Sequence, residues 1–260
     1  VLTCQMIPES DCVIKVPTSS EACKVGKSVF KGKLQQLNVL SESTIHFGVE
    51  VDNPDALVFL PGQYVNVSIP DSNETRSYSF SSIPSANQAE FVVRNIPNGK
   101  MSTFLSDTAT IGQEINFEGP FGSFYLRPLI RPTLFLAGGT GIAPFLSMLK
   151  SLEVSGAHHP VRMVYGVTND FDLIEVEKLE EVKQNHPWFD YRTCVAAEDS
   201  SHERKGYVTS HVDNEWLNDG DVDVYLCGPL GMVDAVSNWL DSSNLKPSNF
   251  YYEKFTPSEQ

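Results

Sequence analysis

The chain has 260 residues, of which 41% are hydrophobic and 20% are charged, and its formal net charge is -14. This composition excludes disordered and collagen-like chains, and the acidic balance argues against a nucleic-acid partner. No apolar run approaches the roughly 20 residues that span a bilayer, so we expect a soluble globular protein without a membrane partner.

The cysteines are scattered through the chain and form no C-x-x-C pair. They are Cys4, Cys12, Cys23, Cys194 and Cys227. An odd number of cysteines without metal-like spacing favours reduced thiols, and the first ten residues lack the basic-then-apolar profile of a signal peptide. We therefore expect a cytoplasmic protein.

The first half of the chain consists of short stretches of alternating polarity, separated by turn sequences such as Pro-Gly and Pro-Asn-Gly. The predicted strands are Val29–Leu40, Thr44–Val51, Gln63–Ile69, Ser77–Ser81, Glu90–Ile96 and Glu114–Phe117. One short helix is predicted among them, at Met101–Thr108. Six strands at this spacing indicate a small antiparallel barrel.

The hydrophobic period changes after Pro132, where continuous apolar runs alternate with helical patterns. The predicted strands are 133–138, 161–167, 189–196, 222–227 and 250–255, and the predicted helices are 141–154, 173–185 and 229–240. Apolar runs of this kind are typical of parallel strands that are buried on both faces. A proline-containing linker near 127–132 places the domain boundaries at 26–128 and 132–260, with 1–25 as a separate piece.

A glycine-rich turn follows the first strand of the second half, in the sequence Leu-Phe-Leu-Ala-Gly-Gly-Thr-Gly-Ile-Ala-Pro from Leu134 to Pro144. The residues of the turn are Gly138, Gly139, Thr140 and Gly141. Glycines permit a tight turn, and the free N–H groups of a helix start can bind a diphosphate, so a dinucleotide site is indicated. Pro144 stands where the third glycine of G-x-G-x-x-G would be, and a structural turn without a ligand remains the alternative.

Four short motifs lie in the predicted barrel, and each of them is weak by itself. They are Pro61-Gly-Gln-Tyr64, Arg76-Ser77-Tyr78-Ser79, Gly99-Lys100-Met101-Ser102 and Gly119-Pro-Phe-Gly122. Taken singly, Arg76 fits a solvated strand charge and Tyr78 a core aromatic. Only the joint order of the motifs is informative.

That order resembles the ferredoxin-NADP reductase superfamily, whose members carry R-x-Y-S, G-x-x-S, G-G-T-G-I-A-P and C-G-P-x-x-M in this sequence. The last element appears here as Cys227-Gly228-Pro229-Leu230-Gly231-Met232. The resemblance covers about residues 28–260. It implies an all-β six-stranded antiparallel flavin-binding barrel, followed by an α/β Rossmann-like nucleotide-binding domain, in a pyridine-nucleotide-dependent oxidoreductase.

The resemblance also implies roles for the barrel motifs. Arg76 would bind a flavin phosphate, Tyr78 would pack against the flavin ring, and Ser79 would lie near its reactive nitrogen, with Ser77 between them. The segment Gly99, Lys100, Met101 and Ser102 would hold a diphosphate, which FAD has and FMN lacks. We therefore expect FAD.

Further residues near the carboxyl ends of two predicted strands carry implied roles. Cys227, with Gly228 and Pro229, would lie beside the nicotinamide, although a lone cysteine at a strand end is more often a buried apolar residue. Glu253 would act near the flavin, and Phe255 would approach its ring. Ser79, Cys227 and Glu253 are the implied catalytic residues.

The positions that select between NADH and NADPH carry no arginine. Thr168 and Ala197 occupy them, and the neighbouring Asp170 and Glu198 would repel a 2'-phosphate. Asp170 can instead accept hydrogen bonds from a ribose diol. NADH is therefore the expected nucleotide.

Within the superfamily, the chain resembles the reductases of bacterial aromatic-ring dioxygenases of the benzoate type, in which a [2Fe-2S] ferredoxin domain precedes the barrel. Residues 1–25 resemble the end of such a domain, and Cys4 would be the last ligand of its cluster. The C-x4-C-x2-C run that would supply the other ligands does not occur, so we expect a cluster only if an upstream ferredoxin domain is present. The implied partner is the terminal oxygenase component.

Other functions share part of this pattern. A stand-alone flavin reductase or a cytochrome-b5-reductase-like enzyme would carry the same motifs and differ only at the N-terminus. An NAD-dependent dehydrogenase or a regulatory NAD-binding protein without flavin would need the glycine turn but not the Arg76 motif. The stand-alone flavin reductase or cytochrome-b5-reductase-like enzyme is the main alternative.

Overall fold

A six-stranded antiparallel sheet forms the first part of the molecule in the computed structural model, which describes residues 26–84, 87–243 and 246–255. Its strands are β1 (Ser28–Ser41), β2 (Thr44–Val51), β3 (Tyr64–Ser68), β4 (Thr75–Ser79), β5 (Gln88–Arg94) and β6 (Glu114–Phe121). They are ordered β4-β3-β6-β1-β2-β5, and a single bridge between Phe80 and Phe91 joins the two end strands. The predicted antiparallel barrel is confirmed.

The barrel closes around aromatic side chains. Phe47, Phe80, Phe91 and Phe117 are all fully or almost fully buried, and the rings of Phe80 and Phe91 lie 5.5 Å apart. Alternation along the strands explains their position, since every second residue faces inward. The short helix α1 (Lys100–Thr103), continued by a wider turn at Phe104–Thr108, covers one end.

A five-stranded parallel sheet follows, and the prediction of an α/β architecture is confirmed. Its strands are β7 (Thr133–Gly138), β8 (Val161–Val167), β9 (Phe189–Val195), β10 (Asp223–Pro229) and β11 (Asn249–Phe255), in the order β11-β10-β7-β8-β9. The helices are α2 (Ala143–Ser155), α3 (Val176–Asn185) and α4 (Leu230–Ser242). All six residues of β7 are buried, as a central strand covered on both faces requires.

The helices begin later than predicted. A 3-10 turn at Gly139–Ile142 precedes α2, and a 3-10 turn at Asp170–Asp172 ends just before residue 173, where the prediction began the next helix. Glu175 adopts a left-handed conformation (φ 57°), so α3 begins only at Val176. Hydrogen bonds within the turn, between Asn169 and Asp172, hold the chain away from helical geometry there.

Polar contacts join the barrel to the second sheet. The hydroxyl of Ser147 on α2 donates to the carbonyl oxygen of Ser82 at 2.6 Å, and Lys150 pairs with Glu90 at 2.7 Å. In the linker, the guanidinium of Arg127 lies 4.2 and 4.0 Å from the ring centroids of Tyr125 and Tyr251. The two parts therefore meet along a packed interface.

No helix within the described ranges is long and apolar enough to cross a membrane.

Candidate functional site

The centre of the candidate site is a contact between the barrel and the edge strand of the second sheet. Ser79 ends β4, and its hydroxyl donates a hydrogen bond of 3.2 Å to Oε2 of Glu253 on β11. Cys227 on β10 is the register partner of Glu253. The structure thus brings together the three residues that the family resemblance implies as catalytic.

Glu253 is suited to hold or release a proton near neutral pH. Desolvation raises the pKa of this carboxyl group to about 7, and the hydrogen bond from Ser79 opposes part of that rise. A carboxyl group with a pKa near the working pH can act as donor or acceptor of a proton. Ser79 is itself buried, and Glu253 is partly buried.

Cys227 is a neutral thiol in this environment. Its side chain is fully buried, and burial raises the pKa of the thiol well above its usual value, with the charge of Glu253 adding to the rise. A protonated thiol is a poor nucleophile, so a role as a covalent catalyst does not fit. A small, uncharged side chain that shapes the end of the strand does fit.

The glycine turn after β7 is fixed by close approach of two backbones. A Cβ atom at Gly141 would lie 2.4 Å from the carbonyl oxygen of Cys227, so only glycine fits there. Gly139 has φ +55°, and a Cβ atom there would meet no atom within 4 Å. The chain therefore presents an open glycine surface at the carboxyl end of β7, where a dinucleotide would bind in a sheet of this kind.

The two predicted phosphate-binding cations lie close enough to share one anion. Arg76 donates to Oε2 of Glu74 at 2.9 Å and to the carbonyl oxygen of Thr75 at 2.9 Å, and Lys100 also pairs with Glu74. Hydrogen bonds from Lys100 and Arg76 lower the pKa of the Glu74 carboxyl group. β4 and α1 thus meet at a cationic pair that fits the diphosphate of FAD.

Tyr78 and Ser77 point in opposite directions along β4. The ring of Tyr78 lies edge-on to Phe47, with centroids 6.2 Å apart, and burial raises the pKa of its hydroxyl. Ser77 donates instead to Oδ1 of Asn66 at 2.7 Å. The strand therefore groups Tyr78 with Arg76, as its alternation requires, and leaves the side chain of Ser77 away from them.

Side chains in the Gly99–Ser102 segment are less available to a ligand than the resemblance implies. The hydroxyl of Ser102 is buried and donates to the carbonyl oxygen of Arg94 at 3.3 Å, while it accepts the N–H of Ile96 at 2.9 Å. Met101 is buried in the barrel core. The ammonium group of Lys100 is exposed. The segment therefore offers a ligand its backbone N–H groups and the side chain of Lys100.

The residues predicted to select the nucleotide lie at the carboxyl ends of β8 and β9. Asp170 is exposed and accepts a 2.7 Å hydrogen bond from the buried Ser200. Sequence reasoning missed Lys205, whose ammonium group donates to the carbonyl oxygen of Glu198 at 2.9 Å. The region therefore contains a cation that the strand-end positions did not reveal, because Lys205 lies on the loop after β9.

Phe255 and Pro229 form the last register pair of β10 and β11. Phe255 is partly buried and packs against the hydrophobic core of the second sheet. Its position at the strand end places it on the same edge as Cys227 and Glu253. Gly228, beside Cys227, packs closely against Gly138 of β7.

Cys4 lies outside the described residues.

Comparison with known proteins identifies the two domains between which this site lies. The oxidoreductase FAD-binding domain matches residues 31–125, and the oxidoreductase NAD-binding domain matches residues 135–238. The chain is 48% identical over 258 residues to the toluate 1,2-dioxygenase electron transfer component of Pseudomonas putida, a match that covers 99% of this chain and 77% of that protein.

Two further similarities support the same family. The chain is 46% identical to the 2-halobenzoate 1,2-dioxygenase electron transfer component of Burkholderia cepacia, over 99% of this chain and 77% of that protein. A solved cytochrome P450 reductase from Amycolatopsis superposes with a TM-score of 0.81 at 26% identity, over 90% of this chain and 71% of that chain. The chain therefore belongs to the family of FAD- and NAD-binding oxidoreductases that includes the electron transfer components of aromatic-ring dioxygenases.

Proposed function

We propose that this protein takes electrons from NADH through FAD and delivers them singly to the oxygenase component of an aromatic-ring dioxygenase of the benzoate type. The observation that carries the proposal is the contact of Ser79 with Glu253 beside Cys227, where the flavin barrel meets the nucleotide-binding sheet. FAD, when bound, accepts a hydride and releases its electrons one at a time. The relatives named for toluate and 2-halobenzoate dioxygenases supply the class of partner.

The residues of the chain divide the work between binding and proton control. Arg76 and Lys100 are proposed to hold the cofactor diphosphate, and Tyr78 to pack against its ring. The glycine turn from Gly138 to Gly141 is proposed to receive the nucleotide diphosphate on its backbone N–H groups. Gly228 and Pro229 border that turn, so the nicotinamide end is proposed to lie against Cys227.

Proton control is assigned to the carboxyl end of β11. Glu253 is proposed to hold a proton at Oε1, while Oε2 accepts the hydrogen bond from the hydroxyl of Ser79, which orients the carboxyl group. The neutral thiol of Cys227 is proposed to fill the space beside the nicotinamide without adding charge. Phe255 is proposed to cover the flavin, and the packing of these side chains would exclude water.

NADH is the proposed nucleotide. Asp170, fixed by Ser200, would accept hydrogen bonds from the ribose diol, and its charge would repel a 2'-phosphate. We also propose that the barrel covers residues 26–128 and the nucleotide-binding unit residues 132–260, since the linker carrying Arg127 lies between the two sheets. A cytoplasmic location is proposed because Cys194 and Cys227 are free thiols and NADH is a cytoplasmic reductant.

The purified protein tests the proposal directly. It should be yellow, and cofactor released by heat should chromatograph as FAD. Anaerobic NADH should bleach the flavin absorbance, and the reduced protein should reduce ferricyanide. A colourless protein that takes up no FAD on incubation, or one that NADH does not bleach, would overturn the proposal.

The acceptor is tested with a chain that carries an upstream C-x4-C-x2-C segment. Cys4 is proposed as the fourth ligand of a [2Fe-2S] cluster in that chain. Cys4→Ser should remove the cluster spectrum and cytochrome c reduction while leaving ferricyanide reduction intact. Unchanged cytochrome c reduction would favour the main alternative, a stand-alone flavin reductase.

A further inference from the structure

Asp172 is a buried carboxylate in the loop that presents Asp170. The backbone N–H and the side-chain amide of Asn169 each donate to Oδ2 of Asp172 at 3.1 Å. The hydroxyl of Tyr165, within β8, donates to the backbone carbonyl of Asp172 at 3.2 Å. The carboxylate of Asp172 therefore closes the loop from Asn169 to Asp172, and its backbone carbonyl ties the loop to β8.

The other oxygen of Asp172 is bound by a residue of the barrel. Oδ1 accepts a hydrogen bond from the hydroxyl of Ser43, in the turn between β1 and β2 and 129 residues away in the chain. Ser43 is itself held by its neighbours, since its backbone N–H donates to the hydroxyl of Ser41 at 3.3 Å and its carbonyl oxygen accepts the N–H of Asn95 at 2.7 Å. The turn is thus a fixed support for the loop.

The outer side of the same loop faces solvent. Asp170 is exposed and is held by Ser200, and the neighbouring Phe171 is 48% exposed. Asp172 therefore faces the barrel while the two residues before it face outward, at the carboxyl end of β8 where the adenosine half of a dinucleotide is expected. A shift of the buried carboxylate would move both exposed side chains.

We propose that Ser43 and Asp172 are positioning residues for the nucleotide, and that the flavin barrel thereby sets the affinity of the second sheet for the adenosine half of NADH. This inference rests on the proposed function, because it takes the ribose site to be at Asp170. Ser43 holds Asp172, Asp172 holds the loop, and the loop holds Asp170 in the orientation that accepts the ribose diol. Neither positioning residue contacts a reacting atom.

Binding of ADP-ribose isolates this effect, since ADP-ribose carries the adenosine half without the nicotinamide. In calorimetric titrations of the FAD-loaded protein, Ser43→Ala should raise the Kd for ADP-ribose about five- to twentyfold, because a buried carboxylate loses a hydrogen bond. Ser43→Thr keeps the hydroxyl and should restore the Kd to within about twofold of the wild type. The amount of bound FAD should not change in either variant.

The matched control is Ser147→Ala, which removes a different hydrogen bond between the same two parts of the molecule. Ser147 donates to Ser82 and does not touch the loop of Asp172. The Kd for ADP-ribose should therefore stay at the wild-type value. An equal rise in both alanine variants would overturn the inference, since it would show a general loosening of the interface.

Stopped-flow reduction of the flavin by NADH provides a second readout. Ser43→Ala should raise the NADH concentration for half-maximal rate by the same factor as the Kd, while the limiting rate stays within about twofold of the wild type. Wild-type affinity in Ser43→Ala would overturn this inference alone. A wild-type protein that NADH does not reduce would overturn the proposed function instead.

Discussion

The hydroxyl of Ser79 donates a hydrogen bond to the carboxyl group of Glu253, 174 residues later in the chain, at 3.2 Å. Ser79 belongs to the barrel and Glu253 to the edge strand of the parallel sheet, so the contact joins the parts proposed to bind the two cofactors. It also sets the protonation of Glu253, since hydrogen bonding lowers and burial raises the pKa of the carboxyl group. The position of the Ser79 hydroxyl therefore affects the protonation of Glu253.

Glu253→Gln should stabilise the protein at alkaline pH and change little at acid pH. The pKa of Glu253 rises from 4.5 in the unfolded chain to about 7 in the fold, so the folded state binds more protons between these values. Stability therefore falls as the pH rises from about 5 to 7, and glutamine removes this loss. Urea denaturation at pH 8 should show a gain of about 2 to 3 kcal/mol, which should fall below about 1 kcal/mol at pH 5.

Two variants make this result specific. Glu177→Gln removes an exposed carboxylate from α3 and should show no such pH-dependent gain. Ser79→Ala removes the hydrogen bond that lowers the pKa, so it should move the pH dependence of flavin reduction to higher pH. An equal gain for Glu253→Gln at pH 5 and pH 8 would contradict the assignment.

Arg76→Ala should weaken FAD binding by about 2 to 5 kcal/mol, because a phosphate in a partly buried site would lose its charged partner. Fluorescence quenching of FAD titrated into the apoprotein measures the Kd. Lys33→Ala is the matched control, since it removes an exposed cation from β1 of the same barrel. Retention of wild-type affinity in Arg76→Ala would argue against the phosphate role.

Glu74→Gln should act in the opposite direction and tighten FAD binding. Glu74 pairs with both Arg76 and Lys100, so it competes with the cofactor diphosphate for the two cations. The FAD fluorescence titration measures the Kd, and a decrease in Kd is the expected result. A weaker affinity would mean that Glu74 supports the binding conformation of the cations instead.

NADH should reduce the flavin at least about tenfold more efficiently than NADPH, by kcat/KM, because Asp170 would repel the 2'-phosphate. Replacing both Thr168 and Ala197 with arginine should narrow this difference. Lys205→Ala tests the cation that lies near Glu198, and it should leave the preference unchanged. Equal efficiency of the two nucleotides with wild-type protein would contradict the proposed selectivity.

The change of hydrophobic period after Pro132 was sufficient to predict the two sheets, because antiparallel and parallel strands bury different faces. It could not predict the start of α3, because the 3-10 turn closed by Asn169 and Asp172 is followed by an extended Leu173 and a left-handed Glu175, which delay the helix to Val176. A hydrophobic pattern carries no signal for such local backbone conformations.

The sequence likewise predicts some residues of the candidate site but not the contacts between them. The resemblance identified Ser79, Cys227 and Glu253, but their contact depends on how the barrel meets the sheet, which no spacing encodes. For the same reason the bond from Ser43 to Asp172 had no signal in the sequence. The resemblance implies that Ser102 helps to hold a diphosphate, whereas in the structure its hydroxyl donates to the carbonyl oxygen of Arg94.

Two alanine substitutions in the glycine turn should separate folding from nucleotide binding. Gly141→Ala would place a Cβ atom 2.4 Å from the carbonyl oxygen of Cys227, so a backbone would have to move and the melting temperature should fall by several degrees. Gly139→Ala meets no neighbouring atom, and its left-handed conformation costs only about 1 kcal/mol. Its methyl group would nevertheless enter the surface on which the nucleotide diphosphate is proposed to lie.

The expected pattern is therefore a strongly destabilised Gly141→Ala and a nearly stable Gly139→Ala with weakened binding of NADH and ADP-ribose. Gly231→Ala, in the first turn of α4, has open space around its Cβ position and a helical backbone, so it should affect neither property. Thermal denaturation and calorimetric titration measure the two effects on the same samples. If Gly139→Ala bound ADP-ribose as tightly as the wild type, the diphosphate could not lie on this turn, because the added methyl group would occupy the space where its oxygens meet the backbone N–H groups.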